Sequence, residues 1–378
     1  MIKIILFLTF ILFSLGQLGR VSFLNQQVNF YLYELMMGLL LAYYFLKLKF
    51  IPLKKIFKSQ QWIIWGWVYL FFSFFFGFFK YSPFENLVSF LYLFRLFFYF
   101  IFFVYLYFYY QKKAKKDLLT GILLFSFLTI VSSFIQFFLY PNLRNLAYLG
   151  WDVHQNRVFG LFFDTSLTAS IYGLLFLFWL NYNGRKYFCF LPFLFLLIYF
   201  TYSRFIIFSF TASLILFFLK KSSVKNILLI LIAFIFLFIF FPQRSGVGVD
   251  FNRVFSIESR IRENILGIKI GIKNPLFGIG YNRIRFFRQK NNLIWGSDFN
   301  IHHGASSFQS SYVTIFVTTG IIGLFFLGKT IFYLLKSSSL YFYLFFFITI
   351  CSLADNLLLH PFIIFILGSV FIIFDKKP

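Results

Sequence analysis

Acidic residues are scarce in this chain, eleven Asp and Glu against thirty-five Lys and Arg in 378 residues. Mg²⁺ prefers carboxylate and phosphate oxygens, so a divalent ion held by protein carboxylates is not expected, and no metal site and no cofactor are assigned. The two cysteines, Cys189 and Cys351, lie far apart inside apolar runs. That excludes a disulfide framework and any thiolate metal cluster, and both read as buried free thiols. Charged residues are only 12% of the chain against 61% hydrophobic, and the mean hydropathy is +0.84. These values exclude a soluble globular protein and indicate a polytopic membrane protein. The first apolar run, residues 2–16, is not followed by a small-x-small cleavage site, since the chain there reads Ser14-Leu15-Gly16-Gln17-Leu18-Gly19. It is expected to stay as a membrane helix. No internal repeat is visible, which weighs against a transporter built from two halves.

What fills the chain is apolar. Phe alone supplies 68 residues, read here as lipid-facing and interhelical packing. Apolar runs broken by polar residues predict an all-α fold of about twelve membrane spans, near residues 2–17, 29–46, 62–79, 87–109, 118–139, 165–181, 187–202, 204–219, 226–241, 310–335, 340–355 and 360–374. Three regions follow: residues 1–241 with spans one to nine, residues 242–309 as one large loop, and residues 310–378 with spans ten to twelve.

Alternate loops carry Lys47, Lys49, Lys54, Lys55 and Lys58, then Lys112, Lys113, Lys115 and Lys116, then Lys220, Lys221 and Lys225. Counted as cytoplasmic loops they place both termini inside and the large loop outside. The net charge of +24 is thereby used for orientation and headgroup attraction, and nucleic acid is not an expected partner. The cations assigned outside are mostly Arg: Arg20, Arg144, Arg157, Arg204 and the series in the large loop. Arg binds phosphate oxygens bidentately and stays charged when partly dehydrated, whereas Lys is a hydrated point charge.

Within the large loop Ile257, Ile261, Ile265, Ile268 and Ile272 recur at helical steps, bordered by Arg260, Arg262, Lys269 and Lys273. This predicts an amphipathic helix in the membrane interface. Asn274-Pro275-Leu276-Phe277-Gly278-Ile279-Gly280 then stops it with a tight turn. Asp164, Thr165 and Ser166 are good cap types for the sixth span; Asp164 and Arg157 read equally as a cap and a rim charge or as parts of a site. Thr201-Tyr202-Ser203-Arg204 leaves room only for a tight turn that puts Arg204 at a helix end. Arg95 and Glu34 are ionisable groups inside apolar runs, which are functional candidates. Asp355, Asn356, His360 and Pro361 form a polar cluster between the last two spans.

These pieces resemble the O-antigen polymerase and O-antigen ligase superfamily of GT-C type membrane glycosyltransferases. The likeness is carried by Arg157-x-x-Gly160-x-Phe162 leading to Ala169, by Thr201-Tyr-Ser203-Arg204, by Ser259-Arg260 running to the Asn274–Gly280 turn, and by Ser310-Ser311-Tyr312 running to Thr319-Gly320-Ile321-Ile322-Gly323. Where the family commonly has His before its Ser-x-Tyr run, this chain has Gln309, and the nearest histidines are His302 and His303.

The resemblance implies an undecaprenyl-diphosphate-linked oligosaccharide as donor and an acceptor glycan hydroxyl. The enzyme would sit in the bacterial cytoplasmic membrane, with a flippase and a chain-length regulator as further partners. Transfer needs the leaving diphosphate stabilised, and arginines can do this without a metal. Arg157, Arg204 and Arg260 are the expected diphosphate ligands, followed by Arg283 and Arg285. A neutral imidazole suits the base, His303 first and His302 second. Polymerase is the first reading, ligase the second, and a permease or flippase for a lipid-linked substrate a more distant third.

Overall fold

The computed structural model describes residues 2–24, 26–182, 185–220, 255–293 and 303–374, with the single positions 228, 232 and 249. The expected ninth span and several loop residues, including Arg244 and Arg253, lie outside the described residues. The described elements are helices and one hairpin, in which Arg20–Phe23 pairs antiparallel with Val28–Tyr31, Arg20 opposite Tyr31, joined by irregular segments such as residues 150–159.

In chain order the helices are α1 (Ile2–Ser14), α2 (Leu32–Leu48), α3 (Ile51–Ser59), α4 (Gln61–Phe76), α5 (Pro83–Leu139), α6 (Thr165–Asn181) and α7 (Phe190–Phe200). They continue as α8 (Arg204–Lys220), α9 (Phe255–Lys273), α10 (Ile284–Lys290), α11 (Ser311–Ser337), α12 (Ser339–Cys351) and α13 (Pro361–Phe374). This is an all-helical membrane protein, but the count of twelve spans is not reproduced. Among the described residues four helices are long and apolar enough to cross a membrane: Gln61–Lys80, Pro83–Phe108, Lys115–Leu139 and Gly304–Ser337. A fifth is counted if α2 and α3, bent by 85°, form one span, and five further apolar helices are shorter. The reason is visible in α6, whose 17 residues are buried on every side except at Phe176 and Leu180. A helix apolar all round can be the middle of a bundle as well as a lipid-facing span.

The fourth and fifth expected spans belong to one helical stretch, yet they lie side by side. Phe103 meets Phe365 at 5.9 Å, Phe365 meets Phe13 at 4.5 Å, and Phe13 meets Phe125 at 4.7 Å. A straight helix would hold Phe103 and Phe125 about 33 Å apart, so the two arms fold back on each other. The first arm starts on a reciprocal cap: Ser82 Oγ accepts from the Glu85 amide at 3.3 Å and the Glu85 carboxylate accepts from the Ser82 amide at 2.7 Å, with Pro83 in the first turn.

The α9 stripe is exposed at Ile257, Ile261, Ile265, Ile268 and Ile272, while Gly267 and Gly271 on the other face let Val313 and Phe316 of α11 come close. After α9 the 274–280 turn does more than stop the helix. It plugs a break in α11, where Gly320 sits at φ 67° and ψ −168°. The amides of Ile279 and Gly280 donate to the carbonyls of Val317 and Thr318 at 2.9 and 3.1 Å, and the Ile321 amide donates to the Pro275 carbonyl at 2.8 Å. From α4, Tyr69 donates to the carbonyls of Leu276 and Thr319, and Ser73 to those of Phe277 and Thr318. Backbone freed by a broken helix is costly unless protein groups satisfy it. Two of the sequence blocks are therefore one joint, and α4 closes it.

Candidate functional site

The hairpin, the start of α6, the turn before α13 and the first half of α11 meet at one pole of the bundle. The other end of α2 carries Lys47 and Lys49. At the hairpin pole lies a cavity of about 720 Å³. Its walls combine aromatic rings (Tyr92, Trp151, Phe163, Tyr281) with Arg20, Arg95 and Arg288 and with Asp152, Asp164, Glu263 and Asp355. The lining is as polar as it is apolar, more polar than the ordinary small-molecule pocket, which suits a ligand rich in charge and hydroxyl groups.

Arg95 stands on the first arm of α5, facing the first turn of α2. Its Nε donates to Glu34 Oε1 at 2.6 Å and its Nη1 to the Asn29 carbonyl at 3.2 Å, and the guanidinium lies 4.9 Å over the Tyr31 ring. The same Glu34 oxygen accepts from Tyr99 Oη at 2.7 Å, while Oε2 accepts from the Tyr31 amide at 2.9 Å. Arg288 of α10 is held by Glu263 of α9 at 2.7 Å, 4.3 Å over the Phe308 ring. Arg260 bonds the Asp355 carboxylate at 2.8 Å and the Ala354 carbonyl at 2.9 Å. Ser311 Oγ pins the same turn, accepting from the amides of Leu357 and Leu358 at 2.9 and 3.1 Å. Arg95, Arg260 and Arg288 are thus each matched by one of the scarce carboxylates. The guanidiniums are held in an ordered polar lattice rather than gathered as a purely positive cluster.

The expected site residues divide accordingly. Arg157 is buried just behind the wall, donating to the Thr201 carbonyl and to Thr165 Oγ1, both at 2.9 Å. Ser166 and Ser203 meet at 3.3 Å, so the 157–169 and 201–204 blocks touch. Arg204 begins α8 beside them and is partly exposed. Arg260 reaches the wall through Asp355.

Arg283 does not reach the cavity lining. It is fully buried, donating to the Phe74 carbonyl at 2.7 Å and to Asn86 Oδ1 at 2.6 Å between the Phe74 and Tyr81 rings. Burial pulls its pKa down to about 10, and its place is that of a strut tying the loop to α4 and α5. Arg285 is buried outside the lining as well, its pKa lowered by burial. His302 lies outside the described residues. The backbone of His303 opens the short turn His303–Ser306, whose Gly304, Ala305 and Ser306 line the cavity, as does Gln309.

Sequence reasoning marked Arg95 as a candidate without placing it among the expected ligands, and left Arg20, Arg288, Asn356 and His360 without a role. The signal for Arg95 and Glu34 was present, as two ionisable residues inside apolar runs. Among the described residues, five buried atoms of cavity-lining side chains have no hydrogen-bond partner: Arg95 Nη2, Arg288 Nε, Asp355 Oδ2, Asn356 Oδ1 and His360 Nδ1. Burial and the nearby Arg95 charge push the His360 imidazole down from 6.5 to about 3, and burial pushes the Asp355 carboxyl up from 3.8 to about 6 despite Arg260.

These shifts have opposite signs in stability. His360, depressed in the fold, stabilises at neutral pH, and that contribution is lost as pH falls from about 6.5 toward 3. Asp355, raised in the fold, contributes most below its ordinary value and loses that as pH rises through about 6. Between pH 7 and 4, thermal melting of the purified protein should show wild type losing more stability than His360→Gln, and Asp355→Asn losing more than wild type. Variants that both track wild type across this interval would refute the assignment of either burial effect.

No group of three or more His, Cys, Asp or Glu side chains among the described residues could hold a metal ion. Fold and cavity together define a helical membrane protein with a polar, aromatic-walled chamber at one pole. No protein-family model matches the chain, and a search of curated proteins finds no match either.

Proposed function

We propose that the chain is a membrane glycosyltransferase that polymerises a surface polysaccharide, O-antigen or capsule. It would transfer an undecaprenyl-diphosphate-linked glycan to a sugar hydroxyl at the outer face of a bacterial cytoplasmic membrane. The observation that carries this reading is the convergence on one cavity. The 157–169 block supplies Phe163, Asp164 and Ser166, the loop block supplies Glu263, and the block entering α11 supplies Thr314 and Thr318. Arg95 and Arg288 line it too, and each has one buried N–H without a hydrogen-bond partner among the described residues.

In the reaction the acceptor oxygen forms a bond to the anomeric carbon as the bond from that carbon to the diphosphate oxygen breaks. The electron pair leaves with the lipid diphosphate, and N–H donors fixed beforehand stabilise that charge without reorganising. The hydroxyl proton passes to a base, for which His303, whose backbone opens the turn beside the cavity, and His302 stay the candidates. Arg157 and Arg204 back the wall, and Arg260 sets Asp355.

The test is a glycan-length profile with a measurement of lipid-linked intermediates in strains carrying Arg260→Ala or Arg288→Gln at wild-type protein levels. Polymer should fall at least tenfold, leaving single repeat units on the acceptor. Long chains accumulating on the lipid carrier would mark a ligase instead. Unchanged chain lengths and unchanged lipid-linked pools in both strains would remove the proposal.

A further inference from the structure

Resting on that reading, we propose that the turn Asp355-Asn356-Leu-Leu-Leu-His360 is the sugar subsite of the cavity, taking hydroxyl groups on its unpaired atoms while the arginines take the diphosphate. The atoms divide by chemistry. Arg95 Nη2 and Arg288 Nε can only donate, so their partner must accept, as a phosphate oxygen does. Asp355 Oδ2 and Asn356 Oδ1 can only accept, so their partner must donate, which a diphosphate does not do and a hydroxyl does. One ligand class presents both faces: a sugar joined to a phosphate.

The two faces come from different elements. The donors stand on α5 and α10, and the acceptors on the turn between α12 and α13. The turn is a built structure. Its carbonyls and amides are fixed by Ser311 Oγ, by the Ser311 amide donating to the Ser352 carbonyl at 3.0 Å, and by the Ser310 hydroxyl donating to the same carbonyl at 3.2 Å. Arg260 occupies Oδ1 of Asp355, the Ser166 hydroxyl stands beside the same carboxyl, and Oδ2 carries no hydrogen bond among the described residues. The His360 ring lines the cavity and lies against Phe362 with centroids 5.5 Å apart, which fixes its plane. Held neutral, it offers one lone pair and one N–H, as a hydroxyl does in complement. A buried polar group left unpaired costs about 1–3 kcal/mol. A site that satisfies several such groups at once rejects ligands lacking the matching hydroxyls.

The experiment compares two probes on the purified full-length protein: geranylgeranyl diphosphate, which has phosphates and no sugar, and the native undecaprenyl-diphosphate-linked repeat unit. His360→Gln, Asn356→Ala and Asp355→Asn should each bind geranylgeranyl diphosphate within twofold of wild type and the lipid-linked repeat unit at least tenfold more weakly. Arg288→Gln should weaken both. Retained binding of the sugar-free probe reports that each variant is folded. Equal loss of both probes in the 355–360 variants would overturn the subsite, as would equal retention of both, and either result leaves the glycosyl-transfer reading standing. A wild-type protein that binds neither probe would overturn that reading and the subsite with it.

Discussion

Gly320→Ala is expected to cost about 3 kcal/mol or more in thermal unfolding of the purified protein, the sum of a left-handed backbone penalty of about 1–2 kcal/mol and the loss of buried backbone pairing. At φ 67° an alanine is strained in any surroundings, and here its Cβ would stand 2.2 Å from the Leu276 carbonyl oxygen. That neighbour is backbone and cannot swing away as a side-chain tip could. Relief requires the 274–280 turn to withdraw, which breaks its amide pairings with Val317 and Thr318 and strands the carbonyls served by Tyr69 and Ser73. The control is in the same helix: nothing lies within 4 Å of a Cβ placed on Gly328, so Gly328→Ala should be neutral or gain up to about 1 kcal/mol of helix propensity. Limited proteolysis should cut the withdrawn turn in Gly320→Ala alone. Equal melting of the two alanine variants would show that the joint does not hold the loop.

That joint explains which parts of the molecule were legible in the sequence. Residues 274–280 and 319–323 each stand out as a block of small and turn-forming residues. Their contact is made of amides and carbonyls, which every residue carries, so no side chain announces that one block fits the other. The helix start at Thr165 was legible because a cap is a local matter: Asp164 accepts from the Leu167 amide at 2.8 Å. The count of twelve spans is not reproduced among the described residues, because hydropathy measures how apolar a segment is and not what surrounds it. α6 is as apolar as a lipid-facing helix, and it is wrapped by protein.

The site shows the same division. Arg157, Arg260 and the 201–204 turn were found from short motifs; none of them lines the cavity, and Arg260 and Ser203 touch it only through the lining residues Asp355 and Ser166. Arg283 was selected by the same logic of exposed cations but is sunk between Phe74 and Tyr81. Charge in a loop sequence does not reveal whether the loop folds inward.

Glu34→Ala should be the most damaging single change outside the joint, lowering stability by about 3–5 kcal/mol, the usual result of removing one partner of a buried ion pair. The Glu34 carboxylate accepts from Arg95, Tyr99 and the Tyr31 amide at once, and its side chain is 2% exposed. Its loss leaves the Arg95 charge between α2 and α5 with, among the described residues, the Asn29 carbonyl and the Tyr31 ring. Replacing both ions, Glu34→Met with Arg95→Met, removes the stranded charge and should recover at least half of that loss, since an apolar pair of similar volume often matches a buried salt bridge. Binding should not recover with it. The double variant has no donor at the position of Arg95 Nη2, so its affinity for geranylgeranyl diphosphate should stay at least tenfold below wild type while its melting returns toward normal. A double variant that melts as low as Glu34→Ala would show that the pair is not desolvated. One that regains both stability and diphosphate binding would show that Arg95 faces the cavity without serving it. Glu34 takes the Nε of Arg95 and Nη2 has no hydrogen-bond partner among the described residues, so the two losses separate only if the ion pair holds the fold and Nη2 serves the ligand.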